Sequence, residues 1–133
     1  MIVFTFDLLN DQSVIIVNAS IKGKYKLRLA LDTAATHTTI DSNVLYFTGY
    51  ELKNSKGEFE IETANGIIIV ERFDLEEFEC LGITKTNFEV QVYDFLANGI
   101  TSDYDGVVGL DFLREHKFCI DINKGEVSVD IYS

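Results

Sequence analysis

The chain contains no proline, no Ser/Gly-rich linker and no low-complexity segment, so nothing in its 133 residues marks an internal boundary. A single domain over residues 1–133 is the expectation, with enough apolar side chains at 47% of the sequence to bury one core. Cysteine is scarce. Cys80 and Cys119 lie far apart, form no C-x-x-C, and have no nearby pair of histidines to complete a zinc site, which leaves no disulfide framework and no metal to expect. No run approaches the roughly 18 apolar residues that span a bilayer. The opening "MIVFTFDLLNDQ" has no basic leader and its apolar run breaks at Asp7, so a reducing, cytoplasmic setting is the expectation. Basic residues are also few, 11 against 22 acidic ones, for a net charge of -11. Such a field repels phosphate backbones and anionic lipid, which argues against nucleic-acid and membrane partners. The charge alone describes a well-solvated surface.

What is present is mostly strand. In "YKLRLALD", Tyr25, Leu27, Leu29 and Leu31 alternate with Lys26, Arg28 and Ala30, the period-2 pattern of a strand with one face in a core. The β-branched "SVIIVNASI" precedes it, and "KGK" around Gly23 joins the two as a hairpin. Further strands are expected in "EFEIETANGIIIVERF", "NFEVQVYDF" and "FCIDINKGEVSVDI". The first carries Asn65-Gly66, a dipeptide that favours a type I′ turn because both residues tolerate positive φ. Helix is confined to "DSNVLYF", capped by Asp41, and "LDFLREH" from Leu110 to His116. A mostly-β barrel or sandwich with one late helix is the coarse result.

"LALDTAATHTTI", residues 29–40, ends such a strand in one acid and a small-residue turn. Asp32 alone is consistent with an ordinary Asx-turn. Its surroundings carry more: "LDTAATHT" resembles the D-T-G-A-x-x-T signature of the retropepsin-like aspartic proteases, with Ala34 in the glycine position. "DGVVGLDFLREH" supplies the apolar pair Val107-Val108, then Gly109, then a helix, and "EIETANGIIIV" supplies a hairpin between the two motifs. The features occur in the family's order and span about residues 13–131.

The resemblance implies an all-β, retropepsin-like closed barrel with a flap hairpin and one short helix in the C-terminal half. It also implies an aspartic endopeptidase acting on extended polypeptide without a cofactor. Two carboxylates would share one proton, one activating a water and the other donating to the substrate carbonyl. At about 3 Å two like charges cannot both stay ionised, so the pair titrates in two macroscopic steps. No second D-T-[GA] or D-S-[GA] occurs, and Asp105 and Asp111 lack the small-residue turn. The second acid would therefore be Asp32 of another subunit in an isologous homodimer. By the same resemblance Thr33 would bond across to the partner's loop, and the N–H of Ala34 would donate to the Asp32 carboxylate. Ala35 and the flap residues Thr63, Ala64, Asn65 and Gly66 would meet the substrate, while the terminal segments "MIVFTF" and "VSVDIYS" would be candidates for the dimer interface.

Other motifs carry less. His37 and His116 are too isolated for a metal site, and "DINKGE" departs from the calcium-loop pattern and is better taken as a Lys-Gly hairpin turn. Two alternatives stay open: a catalytically silent peptide-binding or dimerisation module of the same fold, favoured by Ala34, and an unrelated small barrel that binds a partner through its acidic surface.

Overall fold

The computed structural model describes residues 1–6 and 14–130. The expected strand start at Ser13, the break at Asp7 and the last three residues of "VSVDIYS" lie outside the described residues. Along the rest run β1 (Ile2–Thr5), β2 (Ile16–Ile21), β3 (Tyr25–Leu31), β4 (Thr39–Asp41), α1 (Ser42–Phe47), β5 (Glu58–Thr63), β6 (Gly66–Cys80), β7 (Ile83–Tyr93), β8 (Gly106–Val108), α2 (Leu110–Leu113), β9 (Lys117–Asp121) and β10 (Glu126–Asp130).

Six strands close into a ring in the order β2-β3-β8-β4-β7-β6, with β6 returning to pair with β2 through Ala19↔Cys80 and Ile21↔Phe78. The closed all-β barrel expected above is thus formed. β5 hangs from the first half of β6 as a hairpin, and β1-β10-β9 make a separate three-stranded sheet. Two-residue turns with left-handed backbone set the twist of the hairpins: Lys22 (φ 58°) with Gly23 (φ 63°), and Leu81 (φ 52°) with Gly82 (φ 76°). The alternation in β3 holds at Leu27 and Leu29, buried beside exposed Lys26 and Arg28, and ends at Ala30, which is itself buried rather than outward-facing as expected.

β6 runs on to Cys80, seven residues past the Phe73 expected from sequence. Its buried positions change phase twice, from Val70 to Phe73 and Leu75, and then to Phe78 and Cys80. At the second change Glu76 and Asn87 drop out of the β6–β7 register; Asn87 turns left-handed (φ 51°), and the Glu76 N–H donates to the Tyr50 hydroxyl at 3.0 Å. A long strand can serve a hairpin and then a barrel wall only by such shifts of face.

The barrel interior holds Phe73, Phe78, Ile21, Leu29, Ile40 and Val108, all fully buried. α2 is fixed to the wall by aromatic packing: Phe112 meets Phe78 and Phe88 edge-on at 5.4 and 5.7 Å, and the Lys85 ammonium caps it by donating to the Phe112 carbonyl at 3.1 Å. α2 stops at Leu113 rather than His116, because Lys117 already pairs with Asp130 in the β9–β10 ladder. α1 is capped as expected, the Asp41 carboxylate accepting from the Asn43 N–H at 3.3 Å. Among the described residues no helix is long and apolar enough to cross a membrane.

Candidate active site

β3 delivers the chain into the loop 32–38, and β4 carries it away. β8 threads between these two strands, parallel to β3 (Leu31↔Val108) and antiparallel to β4 (Ile40↔Gly106). Only glycine permits this passage: a Cβ on Gly106 would lie 2.1 Å from the Thr39 carbonyl oxygen. Gly109 has the same role one turn later, where a Cβ would fall 2.7 Å from the carbonyl oxygen of Ala35. The close approach expected at Gly109 is therefore present; the one at Gly106 is additional.

The loop is held at three points. Its start is tied to β8 by the Asp32 N–H, which donates to the Val108 carbonyl at 3.1 Å. Its middle rests on α2, where the N–H groups of Leu110 and Asp111 donate to the carbonyls of Ala35 (2.8 Å) and Thr36 (3.2 Å). Its end is clamped by Asp111, whose carboxylate accepts from the Thr38 N–H (2.9 and 3.0 Å) and the Thr38 hydroxyl (2.7 Å). That hydroxyl oxygen in turn accepts from the Gly109 N–H at 3.1 Å, and Thr38 is fully buried. Sequence reasoning weighed Asp111 only as a second acid and missed this clamp. An acid in the first turn of a helix, facing a threonine that ends a small-residue loop, is the pattern that carries it.

The Asp32 side chain is half-buried, and its Oδ1 accepts from the Ala34 N–H at 2.9 Å. Ala34 has ordinary negative φ, so the alanine sits without backbone strain. Thr33 and Ala34 are exposed, and the Thr33 hydroxyl makes no hydrogen bond to any described residue. The other two acids considered are committed elsewhere: Asp111 to Thr38, and Asp105 to the Arg28 N–H at 2.8 Å.

Asp32, Thr33, Ala34 and Ala35 thus share one loop, while Thr63, Ala64, Asn65 and Gly66 sit together at the exposed tip of the β5–β6 hairpin. No hydrogen bond joins the two groups among the described residues. The tip turn differs from the type I′ expected: Ala64 and Asn65 form it, and only Gly66 has positive φ (118°). The Thr63 hydroxyl decides this by accepting from the Asn65 N–H (3.2 Å) and donating to the Gly66 carbonyl (2.8 Å). Beside the loop 32–38 a shallow groove of about 250 Å³ is lined by Leu31, Thr33, Leu110, His116, Phe118 and Ile120. His37 is exposed, and among the described residues no three His, Cys, Asp or Glu side chains are grouped to hold a metal ion.

Residues 17–115 match the family model described as gag-polyprotein putative aspartyl protease. The fold is similar to that in a crystal structure of a retropepsin-like aspartic protease from Rickettsia conorii, with a TM-score of 0.70 and 21% identity over 96% of this chain and 88% of that one. The sequence matches no curated protein.

Proposed function

We propose, from the premise that this chain belongs to the gag-polyprotein putative aspartyl protease family, that it is a homodimeric aspartic endopeptidase in which each subunit supplies Asp32. The observation that carries this reading is the half-site itself. Asp32 stands at an exposed loop tip while Asp105 and Asp111 are both engaged in backbone contacts, so a second carboxylate has to come from a second copy.

With the two Asp32 carboxylates sharing a proton, the ionised one takes a proton from water, whose oxygen attacks the scissile carbonyl carbon. The protonated one donates to the carbonyl oxygen. Thr33 and Ala34 act as positioning residues. The Ala34 N–H holds the carboxylate orientation, as its bond to Oδ1 supports, and the unpartnered Thr33 hydroxyl reaches the opposite loop. An alanine in place of glycine keeps the donor and adopts an unstrained backbone, which favours an active enzyme over a silent module.

The β5–β6 hairpin serves as the flap. Phe59, Ile61, Ile68 and Val70 share one face of it, and because Val70 on that face is fully buried, the face turns toward the barrel. With Ala35, the tip residues Thr63 to Gly66 bind an extended polypeptide through main-chain hydrogen bonds and exclude water. The whole chain acts as one domain, and its free thiols at Cys80 and Cys119 suit the reducing cytoplasm.

The test is mass-spectrometric detection of cuts in a diverse library of unfolded peptides at mildly acidic to neutral pH, comparing wild type with Asp32→Asn. Cuts that vanish in the variant are expected. Cuts that persist at the same sites in Asp32→Asn, or none from a confirmed dimer, would sink the reading.

A further inference from the structure

Residues 22–28, the turn after β2 and the start of β3, hold Lys22, Lys24, Lys26 and Arg28, four of the chain's 11 basic residues. Two of the four are committed within the fold. The Lys22 ammonium donates to the Thr48 carbonyl at 3.2 Å and stands 4.4 Å over the Tyr50 ring, tying the turn to the end of α1. Arg28 donates to the Asp103 carbonyl at 2.9 Å. Lys24 and Lys26 meet no carboxylate within ion-pair distance among the described residues, in a chain with 22 acids to its 11 bases. Their positive charge is open to a partner.

Beside them, between β3 and α1, lies a groove of about 620 Å³ whose apolar lining is Tyr25, Leu27, Val44 and Phe47. Phe47 is 81% exposed, yet its ring is held edge-on by Tyr25 at 6.4 Å, and Tyr25 lies 5.1 Å under the Lys24 ammonium. The main chain is open here too. The Leu31 N–H donates to the Ile15 carbonyl at 2.8 Å. Bonded residues alternate along an antiparallel ladder, so Tyr25, Leu27 and Leu29 bond β2 while Lys26 and Arg28 turn their N–H and C=O the other way. Arg28 agrees: its N–H donates to the Asp105 carboxylate at 2.8 Å, and its carbonyl accepts from the Asp105 N–H at 2.7 Å. Asp105, the acid in the groove's lining, is thereby occupied. β8 covers this edge only from Leu29 onward, which leaves Lys26 with no strand beside it.

We propose that this groove is a docking site for an extended polypeptide segment in which acidic and large apolar residues alternate. Such a segment adds to the β3 edge at Lys26 through main-chain hydrogen bonds. Strand geometry then sets its pattern. The residue beside Lys26 shares its face and brings a carboxylate to the open ammonium groups, while its two neighbours turn to the face of Tyr25 and Leu27 and meet Phe47. A bilayer fits less well, because a concave groove on a chain of charge -11 is repelled by anionic lipid everywhere but at these lysines. Tyr25 and Leu31 are opposite ends of β3, roughly 20 Å apart at about 3.3 Å per residue, so the site is separate from the loop 32–38 and does not rest on the catalytic reading.

The probe is a fluorescein-labelled Gly-Leu-Asp-Phe-Glu-Leu-Gly peptide, followed by fluorescence polarisation against the full chain. Saturable binding is expected, and it should be lost when Asn and Gln replace the probe's Asp and Glu. Lys24→Glu combined with Lys26→Glu should raise Kd about tenfold or more, and Phe47→Ala about tenfold. All three positions are exposed, and circular dichroism checks that the variants fold. Methylating the probe's main-chain nitrogens one at a time should cost binding at alternate positions, the mark of strand addition. Asp32→Asn should bind the probe as wild type does, so a failure of the catalytic reading leaves this result untouched. No saturable binding up to about 1 mM probe, or binding that ignores both the lysine and the Phe47 variants, overturns the site. Two other results put a different occupant in the groove and overturn it equally: binding of phosphatidylserine vesicles but not of the peptide, or a larger assembly in sedimentation that Phe47→Ala breaks up.

Discussion

Asp111→Ala tests whether the loop owes its shape to the protomer's own hydrogen bonds. The change removes the acceptor of two donors on Thr38, the N–H and the hydroxyl, and Thr38 is fully buried, so both donors are left without a protein partner inside the fold. The N–H of Phe112 also loses a partner at 2.8 Å but keeps the Gly109 carbonyl at 3.2 Å. Leaving a buried donor unmet costs about 1–3 kcal/mol, so two of them cost about 3–4 kcal/mol after partial relaxation. For a chain of this size about 4 °C of Tm follows each kcal/mol, which predicts a fall of about 10–15 °C. Thr38→Val removes the hydroxyl alone and should cost about 1–2 kcal/mol. Made in the Asp111→Ala background it should cost much less, a coupling of at least about 1 kcal/mol. Urea and thermal unfolding followed by circular dichroism, at one fixed protein concentration, supply all four corners of the cycle. A loss below about 1 kcal/mol for Asp111→Ala, or strict additivity with Thr38→Val, would refute the clamp.

Gly106→Ala should leave little folded protein, since its Cβ would stand 2.1 Å from a backbone oxygen that cannot swing away; soluble, native-like yield by circular dichroism would contradict the threading of β8. Burial pushes the Cys80 thiol up to about 12, so at pH 8 it should resist a thiol reagent until the chain is unfolded, and labelling of native protein at Cys80 in peptide mapping would deny that burial. Peptide cleavage should peak on the acid side of neutrality, because the paired carboxylates need one shared proton; a rate that climbs steadily into alkaline pH would exclude the mechanism.

Local signals carried much of the fold. The Lys22-Gly23 turn, the β3 alternation and the Asp41 cap each depend on residues a few positions apart, and each formed. Asn65-Gly66 located a turn but not its type, because the Thr63 hydroxyl recruited Asn65 into a conformation the dipeptide alone does not prefer. The length of β6 was hidden by its two changes of face, since a period-2 reading loses a strand whenever the phase slips. At the candidate site, the small-residue loop that carries Asp32 and the close approach at Gly109 were legible from motif and spacing. Asp111 and Gly106 were not, because what they do is defined by Thr38 and Thr39, some seventy residues earlier in the chain and brought into place only by the barrel.

The placement of those contacts bears on how a site can be shared between two chains. A loop ordered only at the interface would make association carry the entropy of fixing its backbone, about 1–2 kcal/mol per residue. Here the start, middle and end of the loop are already bound to β8, α2 and Asp111 within one protomer. Thr33 and Ala34 are left exposed between those anchors. Association of two copies would then have only to bring two prepared tips face to face.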